Sequence, residues 1–252
     1  MKKIFLISAL LIVTHSVQAQ QFINAAKIEY EVKTNIKKTM SDDMWGEMLK
    51  ENLPPFKTGY YNLSFSDNKS IFKFDRWEPS EKIPEFLRKS DEECSWYCDY
   101  NTGKYTKQKD IFGSKFFIQD SIPYIEWKLS NENRIIAGFN CRKAVGKIMD
   151  SVYIFAFYTD EISLPGGPVS INGLPGLILG LTIPRLYISY IATKITLDGV
   201  KPETIVPASS KKYFTQKTFS AELNNRIGEW FSEESDEESK KWLNQFLWGA
   251  FL

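Results

Sequence analysis

Tyr158-Thr-Asp-Glu-Ile-Ser-Leu-Pro-Gly-Gly-Pro168, followed by Ile171-Asn-Gly-Leu-Pro-Gly-Leu-Ile-Leu179, is the stretch on which the reading of this chain turns. Pro165-Gly166 and Pro175-Gly176 each suit a type II turn, because proline presets φ and the glycine after it supplies a positive φ. Gly173 allows a further positive φ or a close backbone approach. Leu177, Ile178 and Leu179 open a buried strand. Val152 to Tyr158, on the other side, is apolar on both faces, as a central strand is. The segment is therefore a long two-turn excursion between two buried strands. It is not a phosphate loop, since no Lys-Ser/Thr follows it and no helix starts there. Turn chemistry accounts for Gly173, Leu174, Pro175, Gly176, Leu177 and Ile178. The functional alternative makes these six a loop that closes over a ligand or presents a surface to a partner.

Outward from this stretch the pattern is mostly strand. Lys27 to Lys38 is rich in Ile, Val and Thr. Tyr61, Leu63 and Phe65 alternate with polar residues, Phe72 and Phe74 flank Lys73, and Asp67-Asn68 between them reads as a hairpin turn. Asn101-Thr102-Gly103 is a similar turn before a strand over Lys104 to Gln108. Phe116 to Asp120, Tyr124 to Leu129, Arg134 to Phe139 and Tyr187 to Leu197 are further strands. Strands at this spacing imply a mainly β chain, an antiparallel curved sheet or open half-barrel. Short helical insertions are expected over Asp42 to Asn52, capped by Ser41, and over Ser80 to Arg88. After residue 200 the period changes. Residues 218–233 place Leu223, Ile227 and Trp230 on one helical face. Ser235-x-x-Glu238 is a capping box for a second helix carrying Trp242, Leu243, Phe246 and Leu247. Its ion pairs at i,i+4 are Asp236–Lys240 and Glu237–Lys241. The layout is a β domain over 20–200 and a helical extension over 201–252 packed on the sheet, with docking of the apolar tail on a partner or membrane as the alternative.

Residues 1–19 have the form of a cleavable signal peptide. Lys2 and Lys3 precede an apolar run from Ile4 to Val13, and Val17-Gln18-Ala19 supplies the short residues of a cleavage site. The run is too short for a comfortable membrane span, and no later stretch is long enough. Removal of this segment takes Lys2, Lys3 and His15. The 32 basic groups become 30 against 31 acidic ones, the net charge moves from +1 to −1, and no histidine is left. A balanced charge argues against a nucleic-acid partner. Without imidazole, Ser-His-Asp and Cys-His catalysis and histidine-ligated zinc are excluded. Carboxylate pairs and Ser-Lys pairs remain formally available. Asp160 and Glu161, the nearest approach to a carboxylate pair, would face opposite ways on a strand. No catalytic residues are assigned, and a non-enzymatic protein with no cofactor is expected. The 7 Trp, 12 Tyr and 18 Phe fill a core in the plainer reading and line an apolar ligand cavity in the other.

The three cysteines are Cys94, Cys98 and Cys141. In an exported chain a disulfide is plausible. Cys94 and Cys98 are too far apart for a bridge within one straight strand, so the expected bridge joins Cys141 to Cys94 or Cys98 across neighbouring strands. A soft-metal site made of Cys94, Cys98 and Cys141 together is the alternative, although their spacing lacks a paired motif.

Gly173-Leu-Pro-Gly-Leu-Ile178 resembles the signature of the GLPGLI family of exported Bacteroidetes proteins. Ile136-Ala-Gly-Phe-Asn-Cys-Arg-Lys-Ala144 is similar to a second family segment. Phe157-Tyr-Thr-x-x-Ile162, followed by Gly167-Pro168, is similar to a third, with Phe157 where the family has tryptophan. Trp127 and Asp120 also fall in the family pattern, and the resemblance covers about residues 26–200. It implies an exported, β-rich protein of no general established activity, in the periplasm or at the outer membrane. It also suggests an outer-membrane partner such as a TonB-dependent receptor, beside whose genes family members often lie. The order of segments is similar to the curved half-barrel of periplasmic lipoprotein carriers. The expected function is a cell-envelope binding or accessory protein, holding an apolar ligand or docking on an outer-membrane protein. Metal handling through the cysteines is the alternative.

Overall fold

A computed structural model of the chain describes residues 23–40, 44–111, 113–149, 151–197, 199–228 and 237–252. The expected signal segment, the Ser41 cap, Trp230 and the Ser235 capping box lie outside the described residues.

Eleven strands form one antiparallel sheet: β1 (Ala25–Thr34), β2 (Lys57–Ser66), β3 (Lys69–Trp77), β4 (Ser95–Asp99), β5 (Lys104–Ile111), β6 (Ser114–Ser121), β7 (Lys128–Ile136), β8 (Phe139–Ile148), β9 (Val152–Thr159), β10 (Leu177–Ile183) and β11 (Ile188–Thr196). Their spatial order is β6-β5-β4-β3-β2-β1-β11-β10-β9-β8-β7. Two meanders therefore meet at the centre, where β1 pairs with β11. Period-2 alternation places Ile28, Tyr30 and Val32 of β1 and Tyr61, Leu63 and Phe65 of β2 in the core. Asp67 and Asn68 both take positive φ, as a two-residue hairpin requires.

The sheet is open but strongly curved, and chain length alone demands the curvature. Residues 122–127 are all that joins β6, at one edge, to β7, at the other. Fully extended, such a link reaches about 25 Å. Flat, the outer strands of a sheet of this size would lie about 48 Å apart at the usual strand spacing. The sheet must curl until its edges approach. The link is packed as well as short: Ile125 is buried, and Ile125 and Trp127 lie so close over Gly146 of β8 that a side chain there would collide with both.

Among the described residues four α-helices accompany the sheet: α1 (Met44–Asn52), α2 (Glu85–Glu92), α3 (Gln216–Gly228) and α4 (Glu237–Phe251). Phe219, Leu223 and Ile227 fall at i, i+4 and i+8 and form the buried stripe of α3. The Phe219 ring lies 5.3 Å from Phe116 of β6 and 5.6 Å from Phe251 of α4, so both helices sit on the concave face. No helix among the described residues is long and apolar enough to cross a membrane.

Three expected boundaries differ. Tyr124 to Leu129 is mostly the edge-to-edge link rather than a strand. Arg134 to Phe139 is the corner of the β7–β8 hairpin, because Ala137 and Gly138 both take positive φ and Ile136 pairs with Phe139. The helix expected over Ser80 to Arg88 runs instead from Glu85 to Glu92. Pro84 disfavours helical backbone at Ile83, so the helix starts only after the proline.

Candidate functional site

The excursion between β9 and β10 is folded onto the concave face. Tyr30 of β1, fully buried, donates its hydroxyl to the Ile178 carbonyl at 2.6 Å. Tyr100, just after β4, packs against Gly166. The Leu177 N–H donates to Ile162 O at 3.1 Å, and the Ile178 N–H to Gly166 O at 3.0 Å. Ile162, Leu164, Ile171 and Leu174 are buried with Leu177 and Ile178. Of the six signature residues only Gly173 and Pro175 are exposed. Gly173 sits beside the indole of Trp127, whose N–H donates to Asn172 O at 2.9 Å. The excursion thus fills one end of the half-barrel.

The other end holds a cavity of about 850 Å³. Tyr61, Phe72, Trp96 and Tyr190 of the sheet form its floor, α2 and the last turns of α4 cover it, and Val169 is the one contribution of the excursion. Tyr61 and Phe72 stack at 5.2 Å, with Tyr190 edge-on to Phe72 at 6.1 Å. None of Gly173 to Ile178 lines it.

Among these apolar walls stands a cluster of charge. Lys57 pairs with Asp91 of α2 at 2.5 Å and also donates to Leu87 O at 3.1 Å. Lys107 and Lys109 project from β5 onto the concave face, two residues apart and therefore on one side of the strand. Lys107 is buried, lies 4.4 Å above the Trp96 ring and donates to Ala250 O at 2.9 Å. Lys109 donates to Gly249 O. These carbonyls belong to the last turn of α4, which has no intrahelical donors for them and whose dipole favours cations. Neither lysine has a carboxylate partner among the described residues. Burial pushes both lysines below the ordinary lysine range, Lys107 most strongly; Cys94 opposes this for both and Asp91 for Lys109, while Lys109 adds to the lowering of Lys107 and Lys57 to that of Lys109.

The cysteines do not come together. Cys98 is on β4 with Cys94 just before it, and Cys141 is on β8, so β3, β2, β1, β11, β10 and β9 lie between them in the sheet. The neighbouring strands across which Cys141 was expected to pair with Cys94 or Cys98 are not neighbours, and all three thiols are free. Among the described residues no group of three or more His, Cys, Asp or Glu side chains is placed to hold a metal ion. Burial pushes the Cys94 thiol up, partly offset by Lys109 and Lys107, and pushes Cys98 up to about 12 and Cys141 up to about 11. All three stay protonated near neutral pH, the less nucleophilic form.

Sequence reasoning did not single out Lys107, Lys109 or Trp96. A signal was present: Tyr105, Lys107, Lys109 and Ile111 share one strand face, and a lysine pair between two core residues is unusual on a buried face.

No protein-family model matches the chain, and no curated protein matches it. Its structure is similar to two crystal forms of PNGF-II, with TM-scores of 0.51 and 0.50, 13% and 14% identity, and 79% and 78% of this chain covered. The chain spans only 32% of the length of each, and the likeness is one of fold alone. An uncharacterized conserved protein from Thermus thermophilus aligns over 83% of this chain and 99% of its own, with a TM-score of 0.40 and 8% identity.

Proposed function

We propose that this chain is a non-enzymatic binding or accessory protein of the cell envelope, and that it holds an apolar ligand in the cavity between its curved sheet and the covering helices. The carrying observation is the cavity itself. At about 850 Å³, with four aromatic side chains across its floor, it has the size and lining of a site for a drug-sized apolar molecule. The envelope setting rests on the signal-like N-terminus and on the resemblance to the GLPGLI family. The lack of any histidine beyond residue 19 supports a non-catalytic role. Docking on an outer-membrane protein such as a TonB-dependent receptor is compatible with ligand carriage and belongs to the same reading. Metal handling loses support from the separation of Cys94 and Cys98 from Cys141.

The test is native mass spectrometry of the protein purified gently from its own envelope, with its small molecules extracted and identified. A stoichiometric apolar ligand is the expected result. A ligand-free protein that also takes up no apolar dye overturns the proposal.

A further inference from the structure

The cavity has more hydrogen-bond donors than its own acceptors can use. Lys107 and Lys109 each carry three N–H groups, and each makes one hydrogen bond, to a neutral main-chain carbonyl. The indole N–H of Trp96 finds only the Cys94 thiol, a weak acceptor, although Trp96 is only 5% exposed. Trp96 stands directly opposite Lys107 across the β4–β5 pair, so these donors lie together. No carboxylate is paired with either lysine among the described residues. Asp91 is in direct contact with Lys57, and only its field reaches Lys109. Asp110 also borders the cavity and has one carboxylate oxygen without a partner. Its other oxygen accepts from the Gly113 N–H at 3.0 Å, and Asp110 pairs in register with Lys115 on the opposite side of β5 from Lys107 and Lys109. A buried ammonium with no paired carboxylate is costly, and so is a buried indole N–H whose only acceptor is a thiol. One acceptor-rich negative group would relieve both.

Building on the carriage of an apolar ligand, we propose that the cavity takes an amphiphile with a single anionic group, a carboxylate or sulfonate on an apolar body. Its charge is received by Lys109 and the Trp96 indole N–H, with Lys107 adding its positive charge from behind the Trp96 ring, and its body lies along Tyr61, Phe72 and Tyr190. Lys109 is the first contact, because it lines the cavity whereas Lys107 is sealed behind the Trp96 ring. The carbonyls of Gly249 and Ala250 hold the two ammonium groups in place without neutralising them.

The experiment compares two dyes with the same aromatic body, 8-anilino-1-naphthalenesulfonate and the uncharged N-phenyl-1-naphthylamine, titrated into the purified chain and followed by fluorescence. One sulfonate per chain, bound about tenfold or more tighter than the amine, is expected for a charge-assisted hydrogen bond in a buried site. Lys109→Met should erase that preference while leaving the amine within about threefold, and Lys109→Arg should restore most of it. Trp96→Phe keeps the ring, loses only the N–H, and should weaken the sulfonate alone by about threefold or more. Circular dichroism of each variant separates misfolding from loss of the site. Equal affinity for the two dyes, or a preference that survives in folded Lys109→Met, overturns the charge assignment and leaves the apolar carrier standing. Failure of both dyes to bind the ligand-free protein overturns both readings.

Discussion

Gly176 and Gly103 both have positive φ, +143° and +65°, but their surroundings differ. A Cβ on Gly176 would run into the carbonyl oxygen of Thr159, which is backbone and cannot step aside, whereas one on Gly103 would meet nothing within 4 Å. Gly176→Ala is therefore expected to cost more than about 2 kcal/mol, and Gly103→Ala about 1 kcal/mol, by urea denaturation. Equal costs would mean that the excursion is looser than its packing implies. The buried titratable groups make a second prediction at this scale. Lys107 and Lys109 have folded values below their ordinary 10.5, so the unfolded chain binds more protons and stability rises as the pH climbs toward that value. The thiols run the other way. Raised from 9.0, they stabilise the fold below that pH, and this stability is lost as the pH rises toward their folded values, about 12 for Cys98 and about 11 for Cys141. Buried Tyr30 and Tyr61, raised from 10.0, follow the thiols. The urea midpoint should climb as the pH approaches about 9 and fall beyond it. A midpoint that declines steadily toward that pH would contradict the buried lysines.

Among the elements, α3 depends most visibly on one residue. Phe219 bridges Phe116 of the sheet and Phe251 of α4, so Phe219→Ala should destabilise the protein by about 3–5 kcal/mol and loosen the cover of the cavity. Destabilisation below about 1 kcal/mol would show that the helices rest only lightly on the sheet. The same stripe shows what the sequence makes legible. Leu223 and Ile227 announce a helix with one apolar face, and the alternation in Tyr61, Leu63 and Phe65 announces a half-buried strand, because each needs only local periodicity. The corner at Ala137-Gly138 was hidden because alanine rarely takes positive φ, so nothing but Gly138 interrupted an apolar run. The cavity was not legible, since its walls come from β1, β2, β3, β4, β5, β11, α2 and α4, and no local pattern encodes their meeting. Lys107 and Lys109 gain their meaning only when α4 is placed over them.

Across the whole molecule, the sheet is strongest where the ends of the chain's order meet. β1 is hydrogen-bonded on both sides, to β2 and to β11, while β7 forms an edge and is exposed over most of its length. Amide hydrogen exchange should find β1 protected to the level of global unfolding and β7 exchanging faster by local opening. Comparable protection would mean that something covers the β7 edge in solution. The pairing of β1 with β11 also bears on how the protein is made. The strand destined for the middle emerges early, but its second neighbour, beginning at Ile188, follows only after residues 35–187. At the usual pace of about 5–20 residues per second, that is roughly 8–30 s in which one side of β1 has no native neighbour. For that interval a newborn chain offers an open strand edge to any other newborn chain, so crowding during synthesis bears on the yield of folded protein alongside the stability of the finished fold.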